Sequence, residues 1–148
     1  MVKWWVSLAL ASSVALALFL AVPGSDASAQ SGAARSNGEL VERGRYLVND
    51  VAQCVQCHSP RTSSGTIARD ELMRGASIEA DAPSWIGDMW ASYAPNAITF
   101  ARGRGDYVVT LLTTGKRPDG TVPKSPMPQY GLTVEDAEAV VAYLRTLD

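Results

Sequence analysis

The chain has 148 residues, with 13 Lys and Arg against 15 Asp and Glu, a single histidine, and a net charge of −2. That length makes one folded domain the default. The absence of a basic excess argues against nucleic acid as a partner.

Lys3 precedes an uncharged run from Trp4 to Val22, Pro23-Gly24 interrupts it, and Ala27-Ser28-Ala29 offers the small-x-small pattern of a signal-peptidase site. Residues 1–29 are therefore read as a Sec-type signal peptide cleaved after Ala29, which makes the remainder an exported, periplasmic protein. The uncharged run also reaches the lower edge of the roughly 17 to 25 residues that span a bilayer. An uncleaved membrane anchor is thus the alternative, although Ser7, Ser12 and Ser13 dilute its hydrophobicity. Cleavage removes Lys3 and Asp26, one charge of each sign, and leaves the net charge unchanged. A mature chain of about 119 residues supports only a small core, and such domains often need a disulfide, a metal or a cofactor as a staple.

Residues 30–38, QSGAARSNG, are small and polar and are expected to form a flexible arm ahead of a folded domain at 39–148. The first helix is expected over 39–50, where Leu40, Gly44, Leu47, Val48 and Val51 share a face, and it runs directly towards Cys54. From Ser59 to Pro95 the periodicity is weak and glycines and prolines recur, which predicts loops with one helical turn near 68–74. A second helix is expected over 106–113, with Tyr107, Val108, Leu111 and Leu112 as its apolar stripe and Gly115 closing it. The proline-rich stretch GKRPDGTVPKSPMPQYG carries a Pro118-Asp119-Gly120 turn signal and reads as a stiff, irregular loop. In the last helix Thr133 and Asp136 make a capping box, and Ala137, Val140, Val141, Leu144 and Leu147 line one face. No sheet of any size is expected; the fold class is all-α, with three to four helices and long loops.

The segment Cys54-Val55-Gln56-Cys57-His58 holds both cysteines and the only histidine. Thiol–disulfide exchange usually places such a pair at a helix start after a strand, and no strand–helix alternation is visible. A tetrahedral zinc ion needs three or four ligands; Cys57 and His58, being adjacent, cannot easily both reach it, and no further Cys or His exists. A haem explains the whole pattern. Two thiols three positions apart can add to its two vinyl groups against one helical turn, and the adjacent imidazole then becomes the proximal iron ligand. Cys54 and Cys57 are therefore read as the covalent thioether attachments, and His58 as the proximal ligand, of one haem c. Such a macrocycle supplies the missing staple, so that residues 59–132 can be ordered around it with little secondary structure. Protein lacking the group is expected to be largely unfolded.

With His58 used, the other axial position is left to a methionine, a lysine, or water. Met73, Met89 and Met127 follow the leader. Met127 lies between Pro126 and Pro128, whose restricted backbone lowers the entropy lost in holding a weak ligand. It is read as the distal iron ligand, and Met73 and Met89 as side chains that fill gaps. His/Met ligation raises the reduction potential and leaves no site for a substrate, which points to an electron carrier and not to an enzyme. A haem-based sensor or gas-binding protein with a labile Met127 is the alternative.

The fragments RGRYLV at 43–48, CHSPR at 57–61, APN at 94–96, RPDG at 117–120, PMP at 126–128 and EDAEAVVAYLR at 135–145 resemble mono-haem class I cytochromes c. Over roughly 42–147 the chain is similar to cytochrome subunits of bacterial periplasmic dehydrogenases. The resemblance implies a cytochrome c-like wrap around one haem. It also implies first and last helices that cross at Gly44 and Tyr143 with Tyr46 nearby. The implied redox partners are a dehydrogenase or quinol-oxidising donor and a terminal oxidase or another cytochrome as acceptor. Those subunits often carry two or three haem motifs where this chain has one, and residues 62–90 map onto nothing in the resemblance. Arg61 is a candidate contact for a haem propionate, with a solvated surface arginine as the alternative. Trp85, Trp90 and Tyr93 are candidates to pack on the porphyrin or bind a propionate, with ordinary packing as the alternative. Lys116, Arg117 and Lys124, close in sequence to Met127, are either a basic rim that steers an acidic partner or solvated loop charges.

Overall fold

The computed structural model describes residues 35–148; the expected signal peptide and residues 30–34 of the expected arm lie outside the described residues. Helix α1 spans Asn37–Tyr46. It begins inside the segment expected to be an arm because Ser36 caps it. The Ser36 hydroxyl accepts from Glu39 N–H at 3.3 Å while the Glu39 carboxylate accepts from Ser36 N–H at 2.8 Å, a reciprocal capping box. After Tyr46 the chain continues as one wider π-helical turn, Leu47–Val51. Gln53, at φ 50°, then redirects it into the four-residue helix α2, Val55–His58.

Residues 59–96 are mostly loop, as expected, with 3-10 turns at Arg69–Glu71 and Gly87–Met89. Two short strands, β1 (Ala76–Ser77) and β2 (Tyr93–Ala94), pair antiparallel in the register Ala76 to Ala94 and Ser77 to Tyr93. Helix α3, Ala97–Gly103, was not anticipated, although Asn96 marks its start by accepting from Thr99 N–H at 2.9 Å. Helix α4, Gly105–Thr114, ends at Gly115, which takes the left-handed conformation at φ 70°. Helix α5 spans Val134–Leu144. Its expected capping box is half formed. Thr133 Oγ1 accepts from Asp136 N–H at 3.2 Å, but the Asp136 carboxylate turns away to accept from Arg43 Nε and Nη2 at 2.8 and 2.9 Å. A bidentate charged partner outcompetes one backbone N–H.

The described chain is all-α apart from that two-residue ladder. α1 and α5 cross where Gly44 is buried; a Cβ there would overlap the Ala139 carbonyl and lie 2.8 Å from Tyr143 Cβ. Tyr143 is buried in the crossing and its hydroxyl accepts from Asn49 Nδ2 at 3.3 Å. Tyr46, by contrast, is half exposed with Arg43 over its ring. The core joins Leu47 and Val48 of the π-helical turn to Ile98 of α3, Val108 of α4, and Val140 and Leu144 of α5. Each such side chain contributes roughly 1.5–3 kcal/mol when fully buried. No helix among the described residues is long and apolar enough to cross a membrane.

Candidate haem site

The α2 turn opens onto a cavity of about 500 Å³, within the range of roughly 300–1,000 Å³ usual for cofactor and ligand sites. Cys54, Cys57 and His58 line it together with Val108 and Leu112 of α4, Val140 and Leu144 of α5, and Pro123, Pro126, Met127 and Pro128 of the proline-rich loop. Residues that are far apart in sequence thus meet on one mostly apolar surface.

His58 is held by its backbone and its ring. Its Nδ1 lies 2.8 Å from the Pro95 carbonyl oxygen. A carbonyl only accepts, so Nδ1 carries the proton and Nε2 keeps its lone pair for an electrophile. Burial pushes the imidazole's pKa down, opposed by that hydrogen bond. Gly75 N–H donates to the His58 carbonyl at 2.8 Å. The buried Ser59 hydroxyl accepts from Met73 N–H at 3.0 Å. Met73 and Gly75 both have positive φ, 60° and 91°, and a Cβ at Gly75 would come within 2.8 Å of the Ala94 carbonyl. Residues 73–75 therefore form a tight strap against His58 and Ser59. Weak periodicity hid this strap from sequence reasoning; its only legible sign was Gly75.

The two thiols are not joined to each other. Cys54 is half-buried, and burial pushes its thiol up to about 11; Cys57 is exposed. Tyr130, which sequence reasoning did not single out, also lines the cavity and donates its hydroxyl to the Ala52 carbonyl at 3.0 Å. Burial first, then the neighbouring Cys54 and Cys57, pushes this phenol up to about 12.

Of the three methionines, Met127 lines the cavity, with its N–H donating to the Lys124 carbonyl at 3.3 Å. Met73 lines it as part of the buried core, whereas Met89 is half exposed and lies off it. Arg61 is not brought to the cavity. Its Nη1 donates to the Gly65 carbonyl at 2.9 Å and its Nη2 to Gln56 Oε1 at 3.2 Å, so the guanidinium closes its own loop instead. Tyr93 lines the cavity; Trp90 does not, and Trp85 is 81% exposed. Arg117 and Lys124 lie at the lining, but Arg117 Nη1 donates to Thr121 Oγ1 and to the Val122 carbonyl within its turn. Lys116 is exposed and stands off the cavity.

The donor set suits a haem: two thiols on one helical turn, an imidazole with a free Nε2, and a thioether on a proline-stiffened loop, all facing an apolar, cofactor-sized cavity. An all-α frame of this kind defines a covalent haem-binding protein. The family model described as Cytochrome c matches residues 41–148, and the chain belongs to the cytochrome c family. Membership implies covalently bound haem c and a haem electron-carrier role. No curated protein matches the chain.

Proposed function

We propose that this chain is an exported, periplasmic cytochrome c that holds a single haem c and passes single electrons. Its donor is a dehydrogenase or quinol-oxidising complex, and its acceptor a terminal oxidase or another cytochrome. The observation that carries the reading is the meeting of His58, with its Nε2 free, and Met127 in one apolar cavity. When bound, the group supplies a one-electron couple between ferric and ferrous iron. Cys54 and Cys57 anchor it through thioether bonds, and the single motif supports a count of one. His58 provides the nitrogen ligand, oriented by Pro95 and the 73–75 strap. Met127 provides a soft thioether that favours the reduced state. Val108, Leu112, Val140 and Leu144 give the cavity an apolar wall, which would limit solvent access to the group and the reorganisation that a change of charge demands. The likeness of RGRYLV, RPDG and EDAEAVVAYLR to dehydrogenase cytochrome subunits supports the choice of donor, and the leader-like residues 1–29 support export.

The ferric absorption spectrum of the purified holoprotein tests this. A thioether-to-iron charge-transfer band is expected in the wild type and in Met89→Ala, and its loss in Met127→Ala. The ferrous wild type is expected not to bind carbon monoxide. Rapid carbon monoxide binding at neutral pH would overturn the carrier reading in favour of a gas-binding protein. Intact mass is expected to show one haem on a chain beginning at Gln30.

A further inference from the structure

Between the paired strands β1 and β2 the chain makes an excursion over residues 78–92, closed at its neck by Ile78 N–H donating to the Ser92 carbonyl at 2.9 Å. The neck belongs to the haem cavity, because Ile78, Ala91 and Tyr93 line it. Ala91 N–H also donates to the Ser125 carbonyl at 2.7 Å, which fastens the loop to the segment that carries Met127. The tip faces outward. Trp85 is 81% exposed and Met89 51%, a placement that leaves most of a large amphipathic ring in water. Glu79, Asp81 and Asp88 are exposed on the same excursion; none has an ion-pair partner among the described residues, although Glu79 shares a second surface pocket with Arg61. No lysine or arginine occurs between Arg74 and Arg102.

We infer that this loop is the docking face for the redox partner, and that the partner presents an apolar contact ringed by lysine and arginine. The inference rests on the electron-carrier reading and names the partner's chemistry. An exposed tryptophan supplies the contact area typical of interface anchors, and three carboxylates without a cation among them complement a basic rim. The neck places a partner docked there beside the cavity wall, where one electron passes and no bond or proton is exchanged. In the proline-rich loop Arg117 is tied to Thr121 and Val122, which takes one of that loop's three cations out of a rival docking surface.

The test uses the ferrous holoprotein with a strongly basic ferric cytochrome c as probe, followed by stopped flow across ionic strength. The rate is expected to fall about tenfold from low to physiological salt, as for steered association. The triple variant Glu79→Gln, Asp81→Asn, Asp88→Asn is expected to lose most of that slope. A control of equal charge change, Asp50→Asn, Asp106→Asn, Glu138→Gln, is expected to keep it. Trp85→Ser is expected to slow the reaction several-fold at every salt concentration. A carbodiimide cross-linker, which joins carboxylates to lysines, is expected to attach the probe at Glu79, Asp81 or Asp88. Equal slopes in the two triple variants, cross-links confined to other carboxylates, or full rates in Trp85→Ser would overturn the inference. Complete oxidation by excess ferricyanide, whose couple lies above that of a His/Met-ligated haem, serves as the separate check: full oxidation together with no loop effect on the reaction with the basic cytochrome sinks the docking face alone. Failure to exchange electrons with any oxidant sinks the carrier reading itself.

Discussion

At the scale of single residues, the atoms that hold His58 are more telling than the motif that contains it. The ring is tied to Pro95 and the backbone that follows it to Met73 through the buried Ser59 hydroxyl. Ser59→Ala removes the acceptor of a buried N–H without replacing it, which costs about 1–3 kcal/mol. Denaturant unfolding of the holoprotein is expected to show that loss as a lower midpoint. An unchanged midpoint would mean that water or another carbonyl takes over the Met73 N–H. Cys54, Cys57, His58 and Met127 could all be singled out from residue type and spacing alone. Pro95 as the histidine's partner, Ser59 as a latch and Tyr130 as a cavity wall could not, since each role depends on a partner 14 to 78 positions away. Arg61 shows the converse: proximity to the motif in sequence suggested a cofactor contact, but its nearest acceptors, Gly65 and Gln56, claimed it first.

At the scale of elements, the α1–α5 crossing decides how the ends of the domain close. Gly44 allows the two backbones to touch, so Gly44→Ala forces a shift of the helices. Overpacking of this kind typically costs about 1–3 kcal/mol, which thermal unfolding of the holoprotein would register as a lower Tm. The Arg43–Asp136 pair braces the same crossing. Its hydrogen bonds to Arg43 hold the Asp136 carboxyl below the ordinary 3.8. A carboxylate with a depressed folded value stabilises fully above the ordinary value and loses its contribution as pH falls through the folded one. The wild type is therefore expected to exceed Asp136→Asn in stability at pH 6, by about 0.5–1 kcal/mol because Arg43 is partly solvent-screened. The gap should close as pH falls below about 4; urea titrations at several pH values would show it, and a gap that widens in acid would refute the pairing. α4 and α5 were legible because each pairs an apolar stripe with a terminal signal, Gly115 or Thr133. α3 escaped notice because its seven residues offer too few turns for a stripe, although Asn96 marked its start.

At the scale of the whole molecule, a mostly apolar cavity of about 500 Å³ opens in a small domain, and α3, α4, α5 and the proline-rich loop all contribute walls to it. Much of the apolar surface that would drive folding therefore faces the cofactor and not another side chain. Cys54→Ala, Cys57→Ala protein, unable to form the thioethers, is expected to show little cooperative unfolding by circular dichroism. A sharp two-state transition there would mean that the helices suffice on their own. The sequence by itself determined the class, all-α, and the chemistry of attachment, because helical stripes and the CVQCH spacing are local patterns set by covalent distance. It also singled out Met127, because flanking prolines restrict a backbone wherever it sits. Only the tertiary structure decided that Met127 shares a cavity with His58, that Pro95 sets the imidazole's tautomer, and that the loop at 78–92 stands with its neck in the cavity wall and Trp85 in solvent. Those facts depend on long-range closure of loops, in which hydrogen bonds such as Ala91 to Ser125 and Gly75 to His58 choose among arrangements that the local sequence leaves equal.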